Sequence, residues 1–490
     1  MATTSTRLVH IALFVSVFVS AAFGLRTGKG LNDAQQCRIQ RLTATQPSRT
    51  LESEGGVIEL WNKNEEQFQC AGVAPLRVVI RPNSIHLPSF HPTPRLAYVL
   101  QGKGLLGLNI PGCAETYTSQ QPQQQQQQEQ QQLQYQQVDQ HQRVRRIRKG
   151  DVIAVPAGAA HWWANHGEQE DLVILTVNDL NHLANQLDQK FWEFYLAGGP
   201  AREGQQQQQQ QQGQPWQQEE QGQFQNLKNL FSGFDPQLLA EAFRCPVDTI
   251  QKLQRKDERG VIVNSKQGLR SIIRPGKQEG EFQEQGEQQQ EQWGGQGQGS
   301  PYNNGLAETL CTMKVHTNIN QSKQADVYSR QAGKINMVDR LKMPILAYLD
   351  MSIEKGDLFP NALVTPHWTM NSHCVMYVVR GDAQVETVNY NGQNVMNDRV
   401  NEGDMIVVPQ FFATTIKAGS NGLEFVAFKT SGSPTKSPLV GYTSVLRALP
   451  LDVVEHSYQV SPDEAQQLKL NRGGESILLS SHQQRGRAYK

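Results

Sequence analysis

Two histidines in the first half of the chain, His91 and His161, have the chemistry to ligate a divalent metal, because neutral imidazole suits zinc, copper and iron. A metal site needs three or four converging ligands, and no other first-half residue obviously completes the set. Trp162 and Trp163 adjoin His161 and offer flat apolar faces on which a sugar or small planar molecule could stack. Six cysteines are present, at positions 37, 70, 113, 245, 311 and 374. None forms a CxxC pair, so a zinc ribbon or thioredoxin-like site has no support, and spacing alone leaves the disulfide connectivity open. Asn304-Gly305 ends a glutamine- and glycine-rich stretch, where a protease can seat an extended segment. The same dipeptide also favours a hairpin turn.

The elements that must position these residues occur twice. Gly150-Asp151-Val152-Ile153-Ala154-Val155-Pro156 returns as Gly403-Asp404-Met405-Ile406-Val407-Val408-Pro409, and Tyr98-Val99-Leu100-Gln101-Gly102 returns as Tyr377-Val378-Val379-Arg380-Gly381. A period this long means two related domains and not a solenoid of short units. Apolar runs such as 76–81, 172–177 and 425–428 end at turn residues and read as short strands of a sandwich or barrel. Helices are expected over 185–196, where Gly198-Gly199 would stop the first, over 237–243 after Asp235-Pro236, and over 465–470 after the capping box Ser461-Pro462-Asp463-Glu464. Between these lie low-complexity tracts at 120–137, around 205–212 and over 277–304, too poor in apolar residues to offset the entropy of ordering.

The 490-residue chain has 46 basic and 46 acidic residues, a balance that argues against nucleic acid as a partner. Residues 1–24 read as a signal peptide: Arg7, then an apolar stretch too short to span a bilayer, then Ala22-Phe23-Gly24. No membrane association is expected once it is removed. Entry to the secretory pathway makes disulfides permissible.

Gly150, Pro156, Gly158, His161 and Asn165 fit the spacing G-x5-P-x-G-x2-H-x3-N, which resembles the second signature of the cupin barrel. Metal-binding cupins add a first signature, H-x-H followed by a glutamate. Here the first half has Ser89-Phe90-His91 with Arg95 in the glutamate place, where a cation repels a divalent metal. The second half has His367-Trp368-Thr369, with Cys374 in the glutamate place and Thr414 where the first copy has His161. No catalytic, cofactor-binding or metal-binding residue is therefore assigned. His91 and His161 read as ordinary barrel histidines on a retained scaffold.

Beyond the superfamily, the chain resembles the legumin-type 11S seed storage globulins. The likeness rests on Cys37 to Leu42, Glu66 to Gly72, Ile110 to Tyr117 and above all Asn304-Gly305-Leu306-Ala307-Glu308-Thr309-Leu310-Cys311. It implies a mainly β bicupin: two jelly-roll-like barrels, each followed by a small helical extension, with disordered Gln/Glu/Gly-rich inserts. The implied domains are 25–276, a linker over 277–304, and 305–490. The resemblance implies that an asparaginyl endopeptidase cuts Asn304-Gly305, that Cys37 pairs with Cys70, and that Cys113 pairs with Cys311 across the cut. Cys245 and Cys374 are then expected as buried free thiols. It further implies homo-oligomers, trimers before cleavage and hexamers after. The implied route runs from the endoplasmic reticulum to protein storage vacuoles, with allergenic potential. The implied function is a nutrient reservoir, not an enzyme. The competing classes are a metal-dependent cupin enzyme and a small-molecule or sugar-binding bicupin.

Overall fold

A computed structural model of the chain describes residues 37, 39–62, 64–111, 113, 144–203, 227–265, 313–321, 325–472 and 477–480. The expected signal peptide, the three glutamine-rich tracts, Asn304, Gly305 and Cys311 lie outside the described residues.

The first barrel is built from two sheets. One runs in the order Arg202–Glu203, Arg49–Ser53, Gly56–Leu60, Val73–Ile80, Leu172–Asp179, Arg95–Gln101, Asp151–Val155 and His316–Asn318. The other runs Phe194–Tyr195, Ser84–Phe90, Ala160–Asn165, Lys103–Asn109 and Arg145–Arg148, with Ile262–Asn264 also paired to Ser84–Phe90. The second barrel uses the same plan in fewer, longer strands. Cys374–Val388 and Ala413–Lys429 each run through the corner that splits their first-barrel counterparts.

The repeated glycines mark those corners. Gly102 and Gly381 have φ of 81° and 84°, and Gly150 and Gly403 have 89° and 87°. A Cβ on Gly102 would meet the Asp171 carbonyl oxygen at 2.4 Å, and one on Gly381 the Gly422 oxygen at 2.1 Å. Only glycine fits both the backbone conformation and the close approach. Asp151 and Asp404 then close equivalent turns, accepting from the Arg148 and Asn401 backbone N–H at 2.8 and 2.7 Å.

Each half also carries an extended segment that pairs with the other barrel, a short strand in one case and a single bridge in the other. His316–Asn318, from the second half, pairs with Asp151–Ile153 of the first barrel, Thr317 opposite Val152. Thr45, from the first half, bridges Met405 of the second barrel through reciprocal backbone bonds of 2.9 Å. The side chains that follow do the same job: Asn318 donates to Asp151 at 2.7 Å and Gln46 to Asp404 at 2.5 Å. Gln67 strengthens the second contact, donating to the Thr43 carbonyl and accepting from the Val407 N–H. Between the barrels one continuous apolar core runs from Leu96, Tyr98 and Val152 to Val375, Met405 and Phe428.

The helices at 236–243 and 462–470 form where the caps place them. Asp235 accepts from the N–H of Gln237 and Leu238, and Ser461 with Glu464 forms a complete capping box. The helix expected over 185–196 is absent. Asn185 accepts from the Leu187 N–H and Asp188 from the Lys190 N–H, and these side-chain turns displace the helical bonds. Phe194–Tyr195 then joins Ser84–Phe90 as a short strand. Replacing Thr45 with proline removes a donor to Met405 without touching either core. A loss of about 2–3 kcal/mol is expected. Urea unfolding checks it, and an unchanged midpoint would show that the exchanged strand carries no stability.

Candidate functional site

In the first barrel the strands Ser84–Phe90, Arg95–Gln101, Ala160–Asn165 and Leu172–Asp179 turn polar side chains inward at one end. Arg95 is 1% exposed. It donates to Asn178 at 2.8 Å, to His161 Nε2 at 3.1 Å and to Glu193 at 3.4 Å. Arginine has no acceptor, so His161 Nε2 must accept and His161 is the Nδ1–H tautomer. Ser89 donates to Glu193 at 2.8 Å, completing a buried ion pair with hydrogen-bonded flanks. His91 donates from Nδ1 to the Thr93 carbonyl. Its ring stands edge-on to His161 with centroids 5.3 Å apart, and His86 stacks on the other side at 6.5 Å.

The electrostatics keep the imidazoles neutral. Burial, reinforced by Arg95, lowers His91 to about 3 and holds His161 well below its ordinary value. Burial lowers His86 to about 4, with Arg95 adding to the effect against Glu193. Burial, the largest single cause, would raise Glu193, but Arg95 and the three histidines together outweigh it and the carboxylate is held at about 2.

His91 and His161 are thus brought together, as ligands would be, yet the residues do not fit a metal. The cation at the glutamate position occupies His161 Nε2, the nitrogen a metal would take. In the second barrel Thr414 lies opposite His367 and bonds to Thr387 and to the Glu386 carbonyl. Two lysines, Lys429 and Lys436, depress His367 further after burial, to about 3. Among the described residues no three His, Cys, Asp or Glu side chains converge on a metal position.

Trp163 is buried in the wall, edge-on to His161. Trp162 points to the opposite face by strand alternation, where it covers Gly107 and packs on Leu105 and Ala164. The pair therefore offers no joint stacking platform beside His161. Cys37 and Cys70 form a disulfide, and Cys113 is disulfide-bonded. Cys245 and Cys374 are free thiols, but neither is fully buried as expected. Cys245 sits in the surface turn between two short helices, and Cys374 begins a strand at the barrel rim. Sequence reasoning missed His86 and Glu193. The signal available was an acidic residue beside aromatics in Phe191-Trp192-Glu193-Phe194-Tyr195.

The Cupin family pattern matches residues 42–195 and again 317–466. An 11S globulin seed storage protein of Sesamum indicum is 49% identical over 474 residues, covering 96% of this chain and 97% of the relative. The chain is a legumin-type 11S globulin. Another seed storage globulin, from Anacardium occidentale, is 41% identical over 92% of this chain and 94% of its own length. The solved structure of the coconut allergen cocosin superposes with a TM-score of 0.73 at 37% identity, covering 91% of this globulin and 99% of that chain. The globulin is a two-cupin protein with a seed storage role. No described helix is long and apolar enough to cross a membrane.

Two outcomes follow from the buried cluster. Replacing Arg95 with methionine leaves Glu193 buried without its partner, and a loss of about 3–5 kcal/mol is expected in denaturant unfolding. The imidazoles set the acid limb of stability. Below about pH 6.5 the unfolded chain takes up protons that the folded barrel refuses until about pH 3–4, so stability falls with pH across that interval. Melting temperatures measured from pH 7 to pH 4 should drop, and the drop should be shallower in His91→Gln.

Proposed function

We propose that this globulin is a non-catalytic nutrient reservoir, made as one chain and matured by a single cut between Asn304 and Gly305. The cut would be made by an asparaginyl endopeptidase on the route from the endoplasmic reticulum to the storage vacuole. The observation that carries this reading is the reciprocal strand exchange. His316–Asn318 completes the first barrel and Thr45 engages the second, so a break in the chain between positions 265 and 313 leaves both contacts in place. A disulfide between Cys113 and Cys311 would then tie the two chains covalently. Its support is that Cys113 is disulfide-bonded while Cys37 and Cys70 pair with each other and Cys245 and Cys374 are free.

Assembly is proposed as trimers of the precursor and hexamers of the cut protein. Support comes from the two helical extensions, which present apolar side chains to solvent. Leu238 and Phe243 are 65% and 53% exposed on the first, and Tyr458 and Leu468 are 57% and 49% exposed on the second. Such faces favour burial against another copy. The absence of catalysis is supported by the seed storage relatives and by donor sets that do not fit a metal in either barrel. Glutamine, which carries a second nitrogen, fills tracts that a core does not require.

Sedimentation before and after endopeptidase treatment tests the whole reading. The precursor should sediment as a trimer and the cut protein as a hexamer. Asn304→Gln should stay trimeric; hexamers of uncut Asn304→Gln would sink the maturation step. Reductant in native buffer should leave the cut protein intact, with the chains separating only in denaturant. Dissociation by reductant alone would show that the exchanged strands do not hold the halves.

A further inference from the structure

Cys374 stands directly opposite Lys429, the two forming a cross-strand pair of the second barrel. Side chains so placed lie about 5 Å apart at Cβ, within mutual reach. Both line one small cavity, and the Lys429 ammonium donates a hydrogen bond to the Cys374 sulfur. The Lys429 side chain is 3% exposed, whereas Cys374 is half-buried. A partly accessible sulfur that faces a cation is the environment in which a cysteine acts as a nucleophile.

The cavity has a volume of about 30 Å³. At roughly 10–15 Å³ per water, it holds two water-sized atoms and nothing larger. Glu354 closes it beside the lysine, and its polar capacity is not used up. Burial would raise this carboxyl, but Lys436, Lys429 and His367 together outweigh it and hold it at about 2. Lys436 lies 2.7 Å from both carboxylate oxygens, yet its hydrogen bond goes to Oε1. Lys429 is 3.9 Å from Oε2, too far to donate, and that buried oxygen receives no hydrogen bond among the described residues. Hydrogen peroxide meets these limits. It is uncharged, has two heavy atoms, and carries a donor on each.

We propose that Cys374 is a peroxide-reactive thiol, oxidised to a sulfenic acid by one hydrogen peroxide molecule seated between its sulfur, Lys429 and Glu354. The ionised sulfur attacks the nearer peroxide oxygen, so that an S–O bond forms as the O–O bond breaks. Sulfur gives up two electrons and the peroxide accepts them. The departing hydroxide takes a proton from Lys429 and leaves as water. The proton that the thiol lost on ionising restores the ammonium, so thiol and peroxide yield sulfenic acid and water. The uptake is stoichiometric, one oxygen atom per chain, and is independent of cleavage and assembly. No second thiol lines the cavity, so the product is not discharged there as a disulfide.

Timed exposure of the native full chain to hydrogen peroxide at pH 7 tests this. Catalase stops the reaction, the chain is unfolded in dimedone, and peptide mass spectrometry locates the trapped sulfenic acid. Cys245, the other half-buried free thiol, is the internal control. Cys374 should acquire label about tenfold faster or more, whereas N-ethylmaleimide, too large for the cavity, should favour Cys245. Lys429→Met should slow oxidation of Cys374 by about tenfold or more, the loss of one charge-assisted hydrogen bond. Ala427→Val fills the cavity without touching sulfur or ammonium and should slow it likewise. If Lys429→Met fails to fold, Ala427→Val decides. Absence of label on Cys374, a rate no higher than that of Cys245, or an unchanged rate in either folded variant overturns the proposal. Maleimide attacking Cys374 as readily as Cys245 would also overturn it, by showing an ordinary exposed thiol.

Discussion

The structure depends on a strand exchange. Each half begins with a short extended segment that the other half's barrel needs, and each segment is fastened in the same way. A threonine makes the backbone contact, and the following amide side chain reaches the aspartate of the turn that follows the corner glycine. The barrels are thus complete only together, and the shared core between them is a result of that arrangement. An interface built this way does not rely on a linker, so the connecting region is free to vary in length and composition.

Within that frame, walls and contents follow different rules. The wall is set by corner glycines, turn aspartates and apolar alternation, and these are the same in both barrels. The mouth is filled by polar residues that arrive from different strands in each. The first takes its carboxylate from Glu193, beyond the last long strand, and the second from Glu354 on a central one. A buried ion pair contributes little net stability against a well-packed apolar core, but it is costly to half-remove. Once present, such a pair is hard to lose one residue at a time.

Sequence reading reached the parts of the fold that are local. Turn residues of the Gly150 and Gly403 kind act through their own φ, and the caps Asp235 and Ser461 act within three residues. It failed where two local signals compete. The apolar spacing over 185–196 suits a helix, but Asn185 and Asp188 bond nearby backbone first. It also failed where partners are distant. Arg95 was visible as an intruder in a ligand position, yet Glu193 lies 98 residues away, and an acidic residue among aromatics does not by itself name its cation. The exchanged segments were equally hidden. Thr45-Gln46 and Thr317-Asn318 look like ordinary loop residues until their partners are known.

The segment at Thr45 carries a consequence for synthesis. Its partner, Met405, is 360 residues further along the chain. At about 5–20 residues per second the first strand waits roughly 20–70 s after it is made before its partner exists. Through that interval the nascent chain presents an open edge, the kind that pairs with any neighbouring strand. The Cys37–Cys70 disulfide pins the start of the segment to the helix at 66–71, but it does not supply the missing partner. The cell that makes this globulin in bulk must therefore shield one unpaired edge per ribosome until the chain is nearly finished.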